Sequence, residues 1–510
     1  MVRYISLAII AAFVLLGAFA PEQLAETANR LFQYSISNFG WFYLISTFFF
    51  LLFSLFLAFG KYGKIKLGRD EDEPEYSTLT WFAMLFSAGM GIGLVFWGVA
   101  EPLSHYLTPP EGIAGGSPEA ARVSMRYSFF HWGLHPWAIY STVALALAYI
   151  QFRMGRAGLI SSVFYPLLGD RVNGAAGTVI DTLAVIATVF GVATSLGLGA
   201  LQIAGGLSHL FGLANVSSVQ VSIIAVVTVL YLISATTGLD KGIKILSNTN
   251  LVLAVVLMIF VLIAGPTSFI LDTFTLTLGG YLQNLVYMSL RLTPFTQGTW
   301  VGAWTLFYWA WWIAWAPFVG TFIARVSKGR TIKEFVLGVL LIPSLFSFIW
   351  FSVFGGTGLN LEMFQHIPLA KAAANDVTSA LFLTLEQLPF GIWIAALATL
   401  LIITFFITSA DSATFVLGML SSNGNPNPSN KVKIVWGIFQ SLIAVVLLIS
   451  GGLTGLQTAS IVAAVPFAVI IVGMCASILV ALRQDEKRMK AQQKRRMEKL
   501  DELLDRMRTE

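Results

Sequence analysis

Charged side chains are scarce in this sequence. Aspartate, glutamate, lysine and arginine account for only 11% of the 510 residues, whereas hydrophobic residues account for 56%. A soluble domain carries roughly 25% charged residues, so this composition excludes a soluble globular protein. Cysteine is scarcer still. The single one, Cys475, lies in an apolar run, and an intramolecular disulfide is therefore excluded.

Long apolar stretches take the place of the missing charge. A helix crosses the hydrocarbon core of a bilayer with about 20 apolar residues. The sequence therefore predicts an all-α polytopic membrane protein with twelve transmembrane helices. The approximate spans are residues 3–20, 41–60, 79–106, 125–151, 176–206, 217–236, 249–265, 301–324, 335–355, 389–419, 432–450 and 459–482. The first twenty residues also fit a secretory signal peptide, and their removal would leave the orientation of the later spans unchanged.

Lysine and arginine are distributed unevenly between the segments that join these spans. If the N-terminus is cytoplasmic, 26 of the 31 basic residues fall on the cytoplasmic side. Such an excess of positive charge orients membrane proteins, so both termini are expected in the cytoplasm. The same sorting explains the net charge of +5 without a nucleic-acid partner.

Two segments outside the spans are typical of amphipathic helices. Residues 282–292 are expected to lie along the extracytoplasmic face of the membrane. Residues 483–510 form a basic tail on the cytoplasmic side. A basic helix beside the inner leaflet binds anionic lipids with roughly 1 kcal/mol per well-placed basic residue, but a solvated helix fits the pattern equally well.

Tryptophan is concentrated in one span. Tryptophans in membrane spans usually lie at the lipid–water boundary, whereas this cluster runs through the middle of residues 301–324. A wall of aromatic ring faces suits a cation that has no N–H to donate, such as a quaternary ammonium group. Aromatic packing between helices is the alternative. The five residues are Trp304, Trp309, Trp311, Trp312 and Trp315.

The third span has glycine at alternate positions, in the run Gly89-Met-Gly-Ile-Gly93. Each glycine weakens a helix by roughly 1 kcal/mol relative to alanine, so the pattern predicts a break in the helix. Opened backbone at membrane depth is tolerated where it lines a cavity, and its free N–H and C=O groups bind substrates or ions. Close helix packing through Gly89 and Gly93 is the alternative.

The fourth span carries further aromatic residues, and Pro136 is expected to kink its helix. His131 and His135 are four residues apart, which is a spacing that metal ligands use. Because no third ligand accompanies them, the sequence favours buried, hydrogen-bonded histidines and no metal site other than one for sodium. The aromatic residues of this span include Trp132, Trp137 and Tyr140.

The tenth span contains the polar run Thr408-Ser-Ala-Asp-Ser412. Polar residues inside a span are costly unless they are partnered, and they commonly mark an ion path. The hydroxyl groups of Thr408 and Ser409 are hard oxygen ligands of the kind that a sodium ion takes. Hydrogen bonding between helices is the alternative.

Together these motifs resemble the betaine/carnitine/choline transporter family. The resemblance runs from about Ala11 to the tail, and its most specific motifs are Gly89–Gly93 with Trp97-Gly-Val-Ala-Glu-Pro102, His131-Trp-Gly-Leu-His135, and Trp309–Trp315 followed by Arg325-Val-Ser-Lys-Gly-Arg330. It implies two N-terminal helices and then two inverted five-helix repeats of the sodium-symporter type. The implied domains are residues 1–76 for the N-terminal helices, 77–266 for the first repeat, 267–300 for an extracytoplasmic amphipathic helix, 301–482 for the second repeat and 483–510 for the cytoplasmic tail helix.

The resemblance also implies roles for individual residues. The aromatic cage of the family would consist of Trp132, Trp137, Tyr140 and Trp312, with Trp315 along the cytoplasmic path and with Trp309 and Trp311 supporting or lining it. Backbone N–H groups of the opened helix would bind a substrate carboxylate at Gly89, Met90 and Gly91. A sodium ion would be bound by backbone carbonyl groups near Ser87 and Met90, by the carbonyl group of Phe405, and by the hydroxyl groups of Thr408 and Ser409.

A second sodium site near Thr188 and Phe318 is matched less well. Family members that have this site carry two threonines one turn apart, whereas Val192 stands at the second position here. Thr194 and Ser195 are candidate substitutes. Phe318 itself distinguishes the chain from the sodium-independent carnitine exchangers, which carry methionine at that position.

The implied function is sodium-coupled uptake of glycine betaine by alternating access, for osmotic protection. Such a protein is not an enzyme and needs no cofactor apart from the co-transported sodium ion. Transport of choline, carnitine or another onium compound, with proton coupling or by exchange, is the alternative. A channel or a membrane enzyme is more remote, since the sequence shows no ring of pore-lining charge and no catalytic constellation. The resemblance further implies a homotrimer in the plasma membrane, with residues 282–292 as a plausible contact.

Overall fold

The computed structural model describes residues 1–89, 91–237 and 240–509, and most of these residues are helical. Backbone groups that lie in lipid must form their hydrogen bonds within the chain, which explains why the apolar stretches form helices. In chain order the helices are α1 (Val2–Phe19), α2 (Pro21–Phe59), α3 (Thr78–Gly89), α4 (Ile92–Leu107), α5 (Pro118–Trp132), α6 (Leu134–Ala148), α7 (Ile160–Val163), α8 (Tyr165–Leu168), α9 (Ala175–Phe211), α10 (Ser217–Thr237), α11 (Asp240–Ala264), α12 (Thr267–Ser289), α13 (Phe307–Val326), α14 (Ile332–Phe364), α15 (Leu369–Asn375), α16 (Ser379–Glu386), α17 (Gly391–Leu420) and α18 (Asn430–Thr509). Between them lie π-helical segments at Tyr149–Arg153 and Gly302–Leu306 and a 3₁₀ segment at Gly169–Asn173.

Within the described ranges, ten helical segments are long and apolar enough to cross a membrane. This number is smaller than the twelve spans expected from the sequence, because one expected span is divided and two others are joined. The ten segments are Val2–Phe19, Pro21–Phe59, Pro118–Arg153, Ala175–Phe211, Ser217–Thr237, Ile245–Ala264, Gly302–Val326, Ile332–Phe364, Gly391–Leu420 and Asn430–Ala491.

The third expected span is the divided one, and the predicted helix break is confirmed there. α3 ends at Gly89 and α4 begins at Ile92. Gly91 between them has extended backbone, with φ of −168° and ψ of −175°. Met90 lies outside the described residues. The two helices have 12 and 16 residues, so each is shorter than a full membrane crossing requires.

The eleventh and twelfth expected spans are joined in α18, whose backbone is non-helical at Gly452. The φ angle of Gly452 is +54°, in the left-handed region that glycine adopts without steric cost. Beyond this point the helix continues to Thr509, so the expected tail helix is an extension of the last span. The count of twelve crossings and the arrangement in two inverted repeats stay predictions.

The fourth expected span is bent, but the bend lies at Gly133 and not at Pro136 as predicted. α5 ends at Trp132 and α6 begins at Leu134, with Gly133 at φ of −97° and ψ of −131°. Pro136 therefore falls in the first turn of α6, where its missing N–H group removes no intrahelical hydrogen bond. Gly133 is closely surrounded, since a Cβ atom there would lie 2.7 Å from the ring of Phe348.

The amphipathic stretch expected at residues 282–292 belongs to a helix that starts earlier and ends before residue 292. α12 begins immediately after Pro266 and continues to Ser289. Its buried face packs against α5 and α14. Leu282 and Val286 on its other face are exposed. This apolar surface is available for contact with lipid or with another chain.

α13 lies at the centre of the helical assembly. It packs against α6, α9 and α18, and most of its residues are buried. Small residues on the neighbouring helices make room for its large rings. A Cβ atom at Gly191 of α9, for example, would lie 2.8 Å from the ring of Trp315. The tryptophan-rich stretch is therefore inside the protein and away from lipid.

The part of α18 that follows the last expected span is attached to the loops that precede α3 and follow α6. The guanidinium group of Arg153 donates hydrogen bonds to Asp485 and, at 2.9 Å, to Asp70. Lys61 pairs with Glu486 at 2.5 Å. The Lys61 side chain is 60% exposed, and exposed pairs contribute only about 0–1 kcal/mol. Arg153 is 10% exposed and is therefore the stronger attachment.

Candidate functional site

The four rings that the resemblance assigns to a cage lie together in the structure. The bend at Gly133 brings Trp132 from α5 and Tyr140 from α6 towards Trp312 of α13. The ring centroids of Trp132 and Trp312 are 4.8 Å apart with an interplanar angle of 75°, and those of Tyr140 and Trp312 are 6.3 Å apart at 80°. Trp137 completes the group at 5.5 Å from Tyr140.

Each of these four rings keeps a small exposed fraction, between 4% and 8%. Trp309 and Trp311, on the same helix as Trp312, are 0% and 1% exposed. Trp132 and Tyr140 both meet Trp312 at nearly perpendicular angles. Because the face of an aromatic ring attracts cations, this arrangement suits a positively charged group that has no N–H to donate.

The other tryptophans of α13 have different surroundings. Trp311 stacks on Trp312, with centroids 4.8 Å apart and planes 14° from parallel, and so supports the cage from behind. Trp309 instead stacks on His135 at 5.2 Å and belongs to a separate ring cluster. Trp315 lies one turn further along, where its Nε1 donates to the carbonyl oxygen of Gly191 at 2.7 Å.

The helix break adjoins the aromatic cage. A Cβ atom at Gly93 would lie 2.7 Å from the Trp311 ring and 2.9 Å from the Trp132 ring, so both indoles rest directly on the backbone of α4. A Cβ atom at Gly91 would meet none of the described atoms within 4 Å. The first N–H groups of a helix lack intrahelical partners and carry positive partial charge, which suits a carboxylate.

The predicted carboxylate ligands are close in sequence to Gly93, the glycine that contacts the Trp132 ring. Gly89 and Gly91 are four and two residues from the glycine that contacts the cage rings. Met90, the third predicted ligand, lies outside the described residues.

Thr408 and Ser409, two of the predicted sodium ligands, lie on α17, which passes the start of α4. Gly199 of α9 is held between the two helices. A Cβ atom there would lie 2.6 Å from the ring of Phe406 and 2.9 Å from the side chain of Ile92. α17 is thereby positioned beside the helix break.

Two of the predicted sodium ligands are adjacent. The hydroxyl oxygen of Thr408 lies 3.2 Å from the carbonyl oxygen of Phe405, and the Thr408 side chain is buried. The side-chain amide of Asn250 lies 3.5 Å from the same hydroxyl group. Ser87, from the other side of the predicted site, is half-buried two residues before the end of α3.

The residues of the predicted second sodium site lie on α9 and α13. The hydroxyl group of Thr188 is buried and donates a hydrogen bond within its own helix, and Phe318 packs beside a tryptophan of α13. Thr194 is hydrogen-bonded to α18. Ser195 accepts the indole N–H of Trp311 at 3.2 Å. The two candidate substitutes therefore already have other partners.

A buried carboxylate, Glu101, lies behind the cage and has no role among the sequence-based expectations. It is 0% exposed in the middle of α4. Its Oε2 accepts hydrogen bonds from Trp132 Nε1 at 2.8 Å and from the Tyr308 hydroxyl group at 2.5 Å. Its Oε1 lies 2.7 Å from His131 Nδ1 and 3.1 Å from His105 Nε2. A carboxylate inside an apolar span is itself the sequence signal for such a site.

The histidines of the fourth span are buried and hydrogen-bonded, as predicted. His135 Nε2 lies 2.8 Å from the hydroxyl group of Ser289, so the two histidines have separate partners. His131 instead joins Glu101 and His105, and their ligand atoms lie within 4.8 Å of one another. One carboxylate and two imidazoles form a donor set that zinc accepts. The nitrogen–oxygen separations, however, are those of hydrogen bonds.

Glycine should be required at position 93 but not at position 91. In Gly93→Ala the new Cβ atom would lie 2.7 Å from the Trp311 ring, and overpacking of this kind costs about 1–3 kcal/mol. We expect a lower melting temperature in detergent, measured by size-exclusion chromatography after heating. Gly91→Ala adds a Cβ atom that meets none of the described atoms within 4 Å, and it should melt like the wild type. Equal destabilisation by the two variants would contradict the close contact at Gly93.

Comparison with known proteins identifies the family. The family model described as "BCCT, betaine/carnitine/choline family transporter" matches residues 1–487. The glycine betaine transporter OpuD of Bacillus subtilis is 53% identical over 496 residues, which cover 97% of this chain and 96% of that protein. A probable glycine betaine transporter of Desulfitobacterium hafniense is 50% identical over 487 residues, or 95% of this chain and 97% of that protein. The ectoine/hydroxyectoine transporter of Virgibacillus pantothenticus is 50% identical over 488 residues, which cover 96% of this chain and 97% of that protein.

The resemblance carried by the motifs is thereby confirmed. The chain belongs to the betaine/carnitine/choline transporter family, as a multi-pass membrane transporter rather than an enzyme.

Proposed function

We propose that this transporter takes up glycine betaine together with sodium by alternating access, and that it serves osmotic protection. The observation that carries the proposal is the position of the four-ring cage beside the helix break at Gly91. A trimethylammonium group has no N–H to donate and binds to ring faces. A carboxylate binds the free N–H groups at the start of a helix, and α4 starts at Ile92. The two features together match the two ends of a zwitterion.

The names of the relatives support this class of substrate. Two of the proteins named above are glycine betaine transporters and one is an ectoine/hydroxyectoine transporter. Ectoine also combines a delocalised cation with a carboxylate, so it is the second candidate substrate. Choline, carnitine or another onium compound, with proton coupling or exchange, is the alternative. Choline lacks a carboxylate and would leave the helix start without a partner.

The proposed sodium site lies between α3 and α17. Its ligands would be the carbonyl groups near Ser87 and Met90, the carbonyl group of Phe405, and the hydroxyl groups of Thr408 and Ser409. Phe405 and Thr408 lie beside each other on α17, with 3.2 Å between the carbonyl and hydroxyl oxygen atoms, although the Thr408 hydroxyl group is bonded within its own helix, as the Thr188 hydroxyl group is. A second sodium site at Thr188 and Phe318 has weaker support, because Val192 stands where the second threonine of that site is expected.

Alternating access would use two inverted five-helix repeats, residues 77–266 and 301–482. In support, both proposed repeats begin with irregular helix. The first begins with the break between α3 and α4, and the second with the π-helical segment Gly302–Leu306. Transporters of this architecture rock one group of helices against another around a fixed site. The segments outside the repeats would be residues 1–76, 267–300 and 483–510.

We further propose a homotrimer in the bacterial cytoplasmic membrane, with both termini in the cytoplasm and with the basic tail near anionic lipids. Exposed apolar side chains on α12, including Leu282, Val286 and Tyr287, support contact with another chain. Exposed basic side chains at the start of the tail, including Lys487 and Lys490, support contact with anionic headgroups.

Removal of one cage ring should weaken substrate binding. Trp312→Leu deletes the ring that neighbours both Trp132 and Tyr140. Loss of about 1–2 kcal/mol of cation–π attraction corresponds to a roughly 5- to 30-fold higher KM for glycine betaine. The measurement is initial uptake of radiolabelled glycine betaine against concentration, in cells that lack other carriers for it, with the amount of protein in the membrane determined by immunoblot.

Trp393→Leu is the matched control for this substitution. Trp393 is 75% exposed and lies away from the cage, so its loss should leave the KM unchanged. A Trp312→Leu variant that reaches the membrane and keeps the wild-type KM would rule out the cage assignment.

Thr408→Ala should raise the sodium concentration that gives half-maximal uptake several-fold, because it removes a proposed ligand. Thr404→Ala changes the same residue type one turn earlier, at a half-buried position outside the proposed set of ligands, and it should leave sodium activation unchanged. The measurement is uptake against sodium concentration at constant ionic strength, with potassium as the replacement. Full uptake in potassium would contradict sodium coupling. It would favour the alternative, in which a proton gradient drives transport.

The oligomeric state is tested by native mass spectrometry of the detergent-solubilised protein. We expect the mass of three chains and retention of anionic lipid in preference to zwitterionic lipid. Replacement of Leu282 and Val286 by serine should shift the assembly towards single chains, because it removes exposed apolar contact area. A wild-type protein with the mass of one chain at all concentrations would contradict the trimer.

A further inference from the structure

Glu101 is the feature of the structure that the proposed function leaves unexplained. A carboxylate that is fully withdrawn from water is costly, and the cost is offset only when its oxygen atoms are hydrogen-bonded or paired with positive charge. Both oxygen atoms of Glu101 have two partners each. The buried position of the Glu101 carboxylate is therefore stabilised by specific partners.

The partners show that Glu101 acts as a hydrogen-bond acceptor on the side of the cage. An indole N–H is only a donor, so Trp132 must donate to Oε2, and the hydroxyl group of Tyr308 donates to the same oxygen. On the other side, Oε1 lies 2.7 Å from His131 Nδ1, and His131 Nε2 lies 2.9 Å from the hydroxyl oxygen of Thr305. The two hydrogen bonds donated to Oε2 favour the ionised form of the carboxylate.

The same network reaches the second indole of the cage. The backbone carbonyl group of His131 accepts a hydrogen bond from Trp312 Nε1 at 3.0 Å. Trp132 and Trp312 are thus both held at their polar edges. Glu101 binds the first of these indoles directly, and the second is bound by the backbone of His131, whose imidazole contacts Glu101.

We propose that Glu101 is a positioning residue for substrate recognition and that it acts through Trp132. It fixes the orientation of the indole, and its negative charge increases the attraction of the indole face for a cation. Charge-assisted hydrogen bonds are stronger than neutral ones, and groups joined in a network polarise one another at low dielectric. A donor N–H that faces an anion shifts electron density into the ring, and cation–π attraction follows that density. This inference rests on the proposed binding of an onium group in the cage.

The proposal predicts a selective effect of Glu101→Gln. Glutamine has nearly the same volume, and its amide oxygen can still accept the indole N–H, but it lacks the negative charge. We expect the KM for glycine betaine to rise about fivefold, which corresponds to about 1 kcal/mol of cation–π attraction, with the maximal uptake rate little changed. A defect of folding alone would lower the amount of protein and the maximal rate without changing the KM.

A competitor that lacks the positive charge distinguishes an electrostatic effect of Glu101 from an effect on the shape of the binding site. In 3,3-dimethylbutanoate a carbon atom replaces the ammonium nitrogen of glycine betaine, while the methyl groups and the carboxylate remain. Its inhibition constant should be the same in the wild type and in Glu101→Gln. If the substitution weakens glycine betaine and this competitor to the same degree, Glu101 has a packing role only and the proposal is overturned.

Two further variants complete the test. Ser104→Ala lies on the same helix, where the hydroxyl group bonds to the carbonyl group of Ala100, and it should leave the KM unchanged. Trp132→Phe keeps a ring but removes the N–H donor, so Glu101→Gln added to it should raise the KM no further. Fully additive effects of the two substitutions would show that Glu101 does not act through Trp132. If Glu101→Gln fails to reach the membrane, Trp132→Phe alone must weaken glycine betaine more than the uncharged competitor.

Failure of the proposed function and failure of this inference give different results. A wild-type protein that neither binds nor transports glycine betaine contradicts the proposed substrate, and the comparison is then made with the cation that it does transport. Wild-type uptake of glycine betaine with an unchanged KM in Glu101→Gln contradicts the role of Glu101 alone.

Discussion

In the hydrocarbon interior of a membrane, every polar group needs a partner within the protein. Regular helices satisfy this requirement locally, and most of the chain consists of them. At Glu101 the requirement is met by distant parts of the chain instead, because the carboxylate has partners on α4, α5 and α13. At the helix break, the first N–H groups of α4 are left without helical partners. The functional groups of this transporter therefore lie where local hydrogen bonding gives way to tertiary contacts.

The cage depends on very small residues as much as on large ones. The indole of Trp132 rests on the backbone at Gly93, and that of Trp315 rests on Gly191. At such short distances the helix backbone itself determines how far each ring can move. Close packing of this kind transmits small displacements, because a dense interior has few voids and low compressibility. A change in the helix break would therefore be felt directly by the rings of the cage.

The sequence was sufficient to predict the helical membrane fold, the helix break and the rings that meet at the cage, because glycine spacing, apolar length and family motifs carry that information. It misled at Pro136, since a proline is equally compatible with a kink and with the first turn of a new helix. The resemblance gave Trp309 a supporting or lining role, and in the structure this ring stacks on His135. Glu101 was missed because a carboxylate in a single sequence does not reveal which donors surround it.

The last span and the tail form one uninterrupted helix from Gly452 to Thr509. Some 25 residues of it extend beyond the expected membrane span, which is about 40 Å at 1.5 Å per residue. Arg153 binds Asp485 near the start of this extension, so a tilt of the helix about that contact is amplified along its length. A tilt of a few degrees there displaces the far end by several ångströms.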